Sequence, residues 1–210
     1  MFRRDTFVLL ALALFGIVFT IYAVIGSTPF FPKSLQAQLG ECPASPHYPA
    51  EHRPVMEDYE AEWYSSELLG LQVRPLYPDM DQDHQTVRFS LLRSFHAPVT
   101  VTTTQTTDGK IRLSATWASG YDGCDAIRGA CSVDRVLTGA EQARLATAQA
   151  FLRNPSYGCP TGVDGSMWLL EASGHGEYRF WSEWSPRDGD LRELALVMLD
   201  LTGWSLKEIY

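Results

Sequence analysis

Residues 7–26 form an unbroken apolar run of twenty with no charge and no proline, and nothing else in the chain constrains it as strongly. As a helix rising ~1.5 Å per residue, such a run matches the thickness of a bilayer core. Arg3 and Arg4 precede it, and the next positive charge is Lys33. The positive-inside rule then predicts a short cytoplasmic N-terminus and export of the remainder.

A cleaved signal peptide is the competing expectation. Its apolar region spans about 7–15 residues and ends in small residues at the cut. Val24-Ile25-Gly26 would tolerate a cut, but the run is too long. Leu39-Gly40-Glu41-Cys42 has the outline of a lipoprotein box, yet it lies far beyond the apolar run and sets a bulky acid before the cysteine. The expectation is therefore a single-pass inner-membrane protein with its N-terminus cytoplasmic and its domain periplasmic. Residues 1–26 would be tip and anchor, 27–54 a proline-rich stalk, and 55–210 the domain.

Charge narrows the partners. The formal net charge is −8, and without Arg3, Arg4 and Asp5 the chain carries 15 basic and 24 acidic residues. A surface of that sign repels nucleic acid, so no nucleic-acid partner is expected. All four cysteines (Cys42, Cys124, Cys131 and Cys159) fall on the exported side, where disulfides persist. Three pairings are open; the preferred one joins Cys124 to Cys131 across a short loop and Cys42 to Cys159. Zinc needs closer ligand pairs than these, so no metal is expected.

The pattern of apolar residues predicts a helix over 55–69, with Met56, Tyr59 and Trp63 at helical spacing, and strands over 86–93, 99–106 and 111–115. A loop is expected over 119–132. Thr138-Gly139-Ala140-Glu141 is a capping box opening a helix that Asn154-Pro155 ends. A hairpin follows, turning at Gly174-His175, with Glu171 opposite Tyr178, Leu169 opposite Phe180 and Trp168 opposite Trp181. A last helix starts near Asp190, with Leu191, Leu194, Met198 and Leu201 on one side. Strands grouped by hairpins give the expected class, α+β: an N-terminal transmembrane helix, then an antiparallel sheet covered by helices on one face, in the order α-βββ-α-ββ-α.

Several short motifs carry a resemblance. They are Glu62-Trp63-Tyr64-Ser65, then Leu92-Arg93-Ser94-Phe95-His96-Ala97-Pro98-Val99 and Gly120-Tyr121. Further on come Asp164-Gly165-Ser166-Met167-Trp168-Leu169-Leu170-Glu171, Tyr178, Trp184-Ser185-Pro186, Arg192-Glu193-Leu194 and Leu199 to Trp204. In this order and spacing they resemble a group of uncharacterised bacterial proteins, usually exported or membrane-anchored, over about residues 60–210. The chain departs from that pattern in its cysteine-bearing loop after Tyr121 and in Glu183, where an arginine would precede Trp184. The resemblance implies one compact domain and no particular activity.

Chemistry is sparse. The sequence has no G-x-S-x-G, no H-E-x-x-H and no phosphate- or dinucleotide-binding glycine loop, and no cofactor is expected. Two catalytic candidates stand out. Glu171 interrupts an apolar strand, where a carboxylate would have a raised pKa and could act as general acid or base, and His96 lies in a connection between strands. The hairpin concentrates Trp168, Arg179 and Trp181 on one face, the composition of a contact surface. The leading expectation is a membrane-anchored periplasmic interaction module, accessory or inhibitor-like, with a protein partner in the envelope. The alternatives are an envelope-substrate hydrolase using Glu171 and a structural envelope component.

Overall fold

The computed structural model describes residues 30–42, 49–77, 84–120, 124, 131–152, 164–207 and 209. Its elements are α1 (Lys33–Ala37), β1 (Leu39–Cys42), β2 (Glu51–Pro54), α2 (Asp58–Gly70), β3 (Thr86–Arg93), β4 (Val99–Gln105), β5 (Ile111–Trp117), β6 (Cys131–Val136), α3 (Gly139–Ala148), β7 (Ser166–Gly174), β8 (Glu177–Trp184) and α4 (Asp190–Asp200). β1 and β2 form a two-stranded antiparallel sheet, and the other six strands form a second sheet in the order β6-β5-β4-β3-β7-β8. All its neighbours are antiparallel. β3 through β6 run outward as a meander, and the chain then returns through α3 to set β7 on the other side of β3.

This corrects the expected α+β class: the domain is mostly β, with few helices. Helices also cover both faces of the large sheet instead of one. The period-2 alternation of β3–β5 sends Val87, Phe89, Leu91, Val99, Val101, Leu113 and Ala115 to one side, joined there by Trp168, Leu170 and Trp181. α3 and α4 seal that side with Leu145, Leu191, Leu194, Ala195 and Met198. On the other side Leu92, Met167, Leu169 and Phe180 meet Phe30, Phe31, Leu35, Met56, Tyr64 and Leu68. Strands apolar on both faces, as in the wholly buried β7, are what a sheet covered on both sides requires.

Residues 27–54 are therefore not a bare stalk over their described part. Phe31 packs edge-on against Phe180 at 5.8 Å and against Tyr64 at 6.3 Å, and α1 with the β1–β2 hairpin belongs to the same layer. Among the described residues no helix is long and apolar enough to cross a membrane. The expected span, residues 7–26, lies outside them, as do Cys159 and Asn154-Pro155.

Three further expectations shift. α2 begins at Asp58 and buries Glu60, Tyr64 and Leu68, leaving Tyr59 61% exposed; the stripe runs one residue later than the Met56-Tyr59-Trp63 reading. The backbone N–H of Glu57 donates to Glu60 Oε2 at 2.8 Å and fixes that start. The segment expected to be loop contains the start of β6, an edge strand whose Asp134 is tied to Arg112 of β5 at 2.6 Å; charge of this kind discourages edge-to-edge pairing. In the β7–β8 hairpin Glu171 faces Phe180, Leu169 faces Ser182 and Trp168 faces Glu183, two residues out of the expected register. The turn is His175-Gly176, both at positive φ (54° and 75°), as a type I′ turn demands. A slip of two preserves which residues share a face.

α3 opens on the predicted capping box. Thr138 N–H donates to Glu141 Oε2 at 2.7 Å, and Arg135 of β6 grips the same carboxylate at 2.7 and 2.9 Å. Arg135 foremost, then the amide and hydroxyl of Thr138, pull the Glu141 pKa down to about 2. A depressed carboxylate stabilises the fold fully above its unfolded pKa of about 4.5. That contribution is lost as pH falls through about 2. Glu141→Gln is therefore expected to lower stability at pH 7 while flattening its dependence between pH 5 and 2, measured by denaturant unfolding at each pH. An unchanged acid slope would remove Glu141 from that dependence.

Candidate functional site

Glu171 is wholly buried at the centre of β7. Its backbone faces Arg88 of β3, and Arg88 Nε donates to Glu171 Oε2 at 2.7 Å while Nη2 stands 2.6 Å from the same oxygen. The hydroxyl of Tyr178 donates to Oε1 at 2.9 Å. Burial, then the Glu171 charge, push the Tyr178 pKa well above its ordinary value, so it remains a donor. Arg88 Nη1 donates to the carbonyl of Arg74 at 2.6 Å, and its guanidinium lies 5.2 Å from the Phe30 ring centre. Both carboxylate oxygens are thus engaged and neither meets solvent. A general acid or base must reach a substrate proton; Glu171 instead anchors the N-terminal layer to the sheet.

The aromatic docking face requires a similar correction. Trp168 and Trp181 do share a face, but it is the face that α3 and α4 seal, and both indoles are 0% exposed. Large aromatics contribute most when buried, and the return crossover through α3 covers them. Arg179, on that face at its rim, donates to the Leu152 carbonyl at 3.2 Å and pairs with Glu177.

A different place has the shape of a site. An open cleft of about 660 Å³ lies at one end of the sheet, lined by Phe95, His96, Asp164, Gly165, Ser185, Pro186, Arg187, Arg192 and Ile209. Topology assembles it: β3, β7 and β8 are neighbours, and the end of β3, the start of β7 and the end of β8 meet there. Ser94 N–H donates to the Gly165 carbonyl at 3.0 Å, and Ser185 N–H to the Ser166 carbonyl at 2.8 Å. The Ser185 hydroxyl accepts from Ser166 N–H at 2.9 Å. A Cβ on Gly165 would come within 2.5 Å of the Ser185 hydroxyl and 3.0 Å of the Trp184 ring, so this close approach requires glycine. Ser185 itself holds φ at 44°, a strained conformation for a non-glycine residue.

The walls differ in character. Phe95 is 59% exposed and gives one wall an aromatic lip. Arg192 lies 5.1 Å from the centre of the buried Trp168 ring and donates through Nη1 to the Pro186 carbonyl at 2.8 Å. Arg187 makes no hydrogen bond or ion pair among the described residues. Asp164 is exposed on the rim and forms no ion pair with either arginine. Nearby Glu183 has its pKa raised by burial first, then by Asp188 and Asp190. His96, the other sequence candidate, is half-buried in this cleft. Sequence reasoning missed Phe95, Arg187 and Arg192 as site residues, although Phe95 and Arg192 stand in the segments that carry the resemblance.

Comparison with family models and with curated proteins finds no match to this chain. Cys124 and Cys131 are joined in a disulfide, and Cys42 is also disulfide-bonded. Among the described residues no group of three or more His, Cys, Asp or Glu side chains could hold a metal ion.

Proposed function

We propose that this domain is a protein-interaction module of the cell envelope that docks a separate protein partner through the cleft at the β3–β7–β8 end. The observation that carries the reading is Phe95: a large aromatic left 59% exposed at the lip of a cleft that also presents Arg187 and Arg192. Exposed aromatic and arginine side chains around a concavity are the usual anchors of protein docking. The segments 92–99, 164–166, 184–186 and 192–194, which carry the resemblance, also meet around this cleft. A periplasmic location rests on the charge asymmetry flanking residues 7–26 and is supported by the disulfide, which persists in an oxidising compartment.

The test is a photo-crosslinking residue placed at Phe95 of the full chain in living cells, with Thr102 of β4 as the comparison position. One discrete adduct from position 95 and none from 102 is the expected outcome. Adducts from 102 alone, or none from 95, would overturn the reading. So would an adduct at twice the mass of the chain, which would make the contact self-association.

A further inference from the structure

The geometry points to a carboxylate as the group this cleft recognises: an acidic side chain of the partner, flanked by an apolar residue, gripped by Arg192 and Arg187 beside Phe95. This rests on the cleft being the docking site and adds the chemistry of what docks there.

In an acidic protein most arginines find counter-charges within the fold. The net charge is −8, so carboxylates are plentiful, and Arg53, Arg88, Arg112, Arg135, Arg144 and Arg179 all form ion pairs with them. Among the described residues Arg187 and Arg192, like the exposed Arg74, form none, although Asp188, Asp190 and Glu193 are close to the first two in sequence. Arg192 is also held in place. Its guanidinium lies over the Trp168 ring, and Nη1 is fixed by the Pro186 carbonyl. The opposite edge, Nε with Nη2, has no partner among the described residues. That edge is the fork that binds a carboxylate through two parallel hydrogen bonds. A guanidinium fixed by stacking and one bond loses little entropy when the fork closes on a ligand. Arg187 is exposed and adds a second positive charge to the same wall.

The apolar part of the recognition comes from Phe95, Pro186 and the half-buried Ile209. A bare anion would leave those surfaces unused, whereas an acidic residue with an apolar neighbour would cover them. The acidic surroundings then discourage any negatively charged ligand that lacks this shape complement.

The test is a titration of the detergent-solubilised full chain with two probes that differ only in charge, N-acetyl-phenylalaninate and N-acetyl-phenylalaninamide. It is followed through the arginine Nε–H resonances in nitrogen–proton correlation spectra. The acid is expected to bind saturably and move the Arg192 Nε–H signal, with the amide about tenfold weaker or more, the size of a charge-assisted hydrogen bond. Arg192→Gln and Arg187→Gln should each weaken the acid and leave the amide unchanged. Arg187 is exposed and makes no hydrogen bond or ion pair among the described residues, so its substitution tests binding even if Arg192→Gln disturbs the Trp168 contact. Equal binding of acid and amide, no saturable binding of the acid, or indifference to both substitutions would overturn the proposal. Displacement of the acid by an equal concentration of inorganic phosphate would do the same, by making this a general anion site. The two readings fail separately. A position-95 adduct that survives Arg187→Gln and Arg192→Gln leaves docking intact and removes the carboxylate. Arginine-dependent binding of the acid without any adduct leaves a small-molecule site and removes docking.

Discussion

Arg88→Ala is expected to cost about 3–5 kcal/mol of unfolding free energy, the typical loss when one partner of a buried ion pair is removed. Arg88 and Glu171 are 2% and 0% exposed, so truncating the arginine leaves a carboxylate with no counter-ion and no water. The loss reaches beyond the pair. Arg88 also holds the Arg74 carbonyl and faces Phe30, so the layer formed by residues 30–42 and 49–77 should loosen first. Replacing both partners with apolar residues, Arg88→Met with Glu171→Leu, should recover much of the loss, because two desolvated charges disappear together. Recovery will be incomplete: the Tyr178 hydroxyl loses its acceptor, and an unpaired buried hydroxyl costs about 1–3 kcal/mol. Guanidinium unfolding of the wild type, the single variants and the double variant measures all of this. A single-variant loss below about 1 kcal/mol would mean that water reaches Glu171.

Trp181→Ser should be at least as damaging, at about 3–5 kcal/mol by the scale of tryptophan truncation in a core. The indole is 0% exposed and meets Phe151 edge-on at 6.1 Å, and serine would leave a cavity containing a hydroxyl. A domain stabilised by about 5–15 kcal/mol would be left close to its unfolding threshold. Phe95→Ala at the cleft should change stability by less than about 0.5 kcal/mol, as exposed positions do. The pair separates core from contact surface: thermal melts report the first variant and crosslinking the second. A stable, folded Trp181→Ser protein would contradict the packing of α3 and α4 over that face.

Much of the local structure was legible in the residues. Alternation marked β3 to its ends and β4 and β5 to within two residues, and the Thr138–Glu141 box placed the start of α3. The disulfide between Cys124 and Cys131 was the preferred short-loop pairing. The β7–β8 turn fell one residue late because His175 accepts positive φ, a backbone state in which histidine is enriched among non-glycine residues. β6 was missed because an edge strand bearing Asp134 and Arg135 lacks the apolar run that identifies a buried one.

The site was less legible. Glu171 drew notice as a carboxylate in an apolar strand, but sequence cannot show whether such a group meets substrate or a counter-ion 83 positions away. That depends on β7 pairing with β3, a long-range choice. The tryptophan face looked open because nothing local said that the chain would return through α3 to cover it.

By itself, then, the sequence determined the local periods: which strand residues share a face, where α3 is capped, and to within one residue where the β7–β8 hairpin turns. Each depends on neighbours within about one turn or one strand. Only the tertiary structure decided that both faces of the sheet are covered, that Arg88 meets Glu171, and that the ends of β3, β7 and β8 converge on Phe95, Arg187 and Arg192. Strand order and crossover are set by the burial energy of the whole chain, which no local pattern encodes.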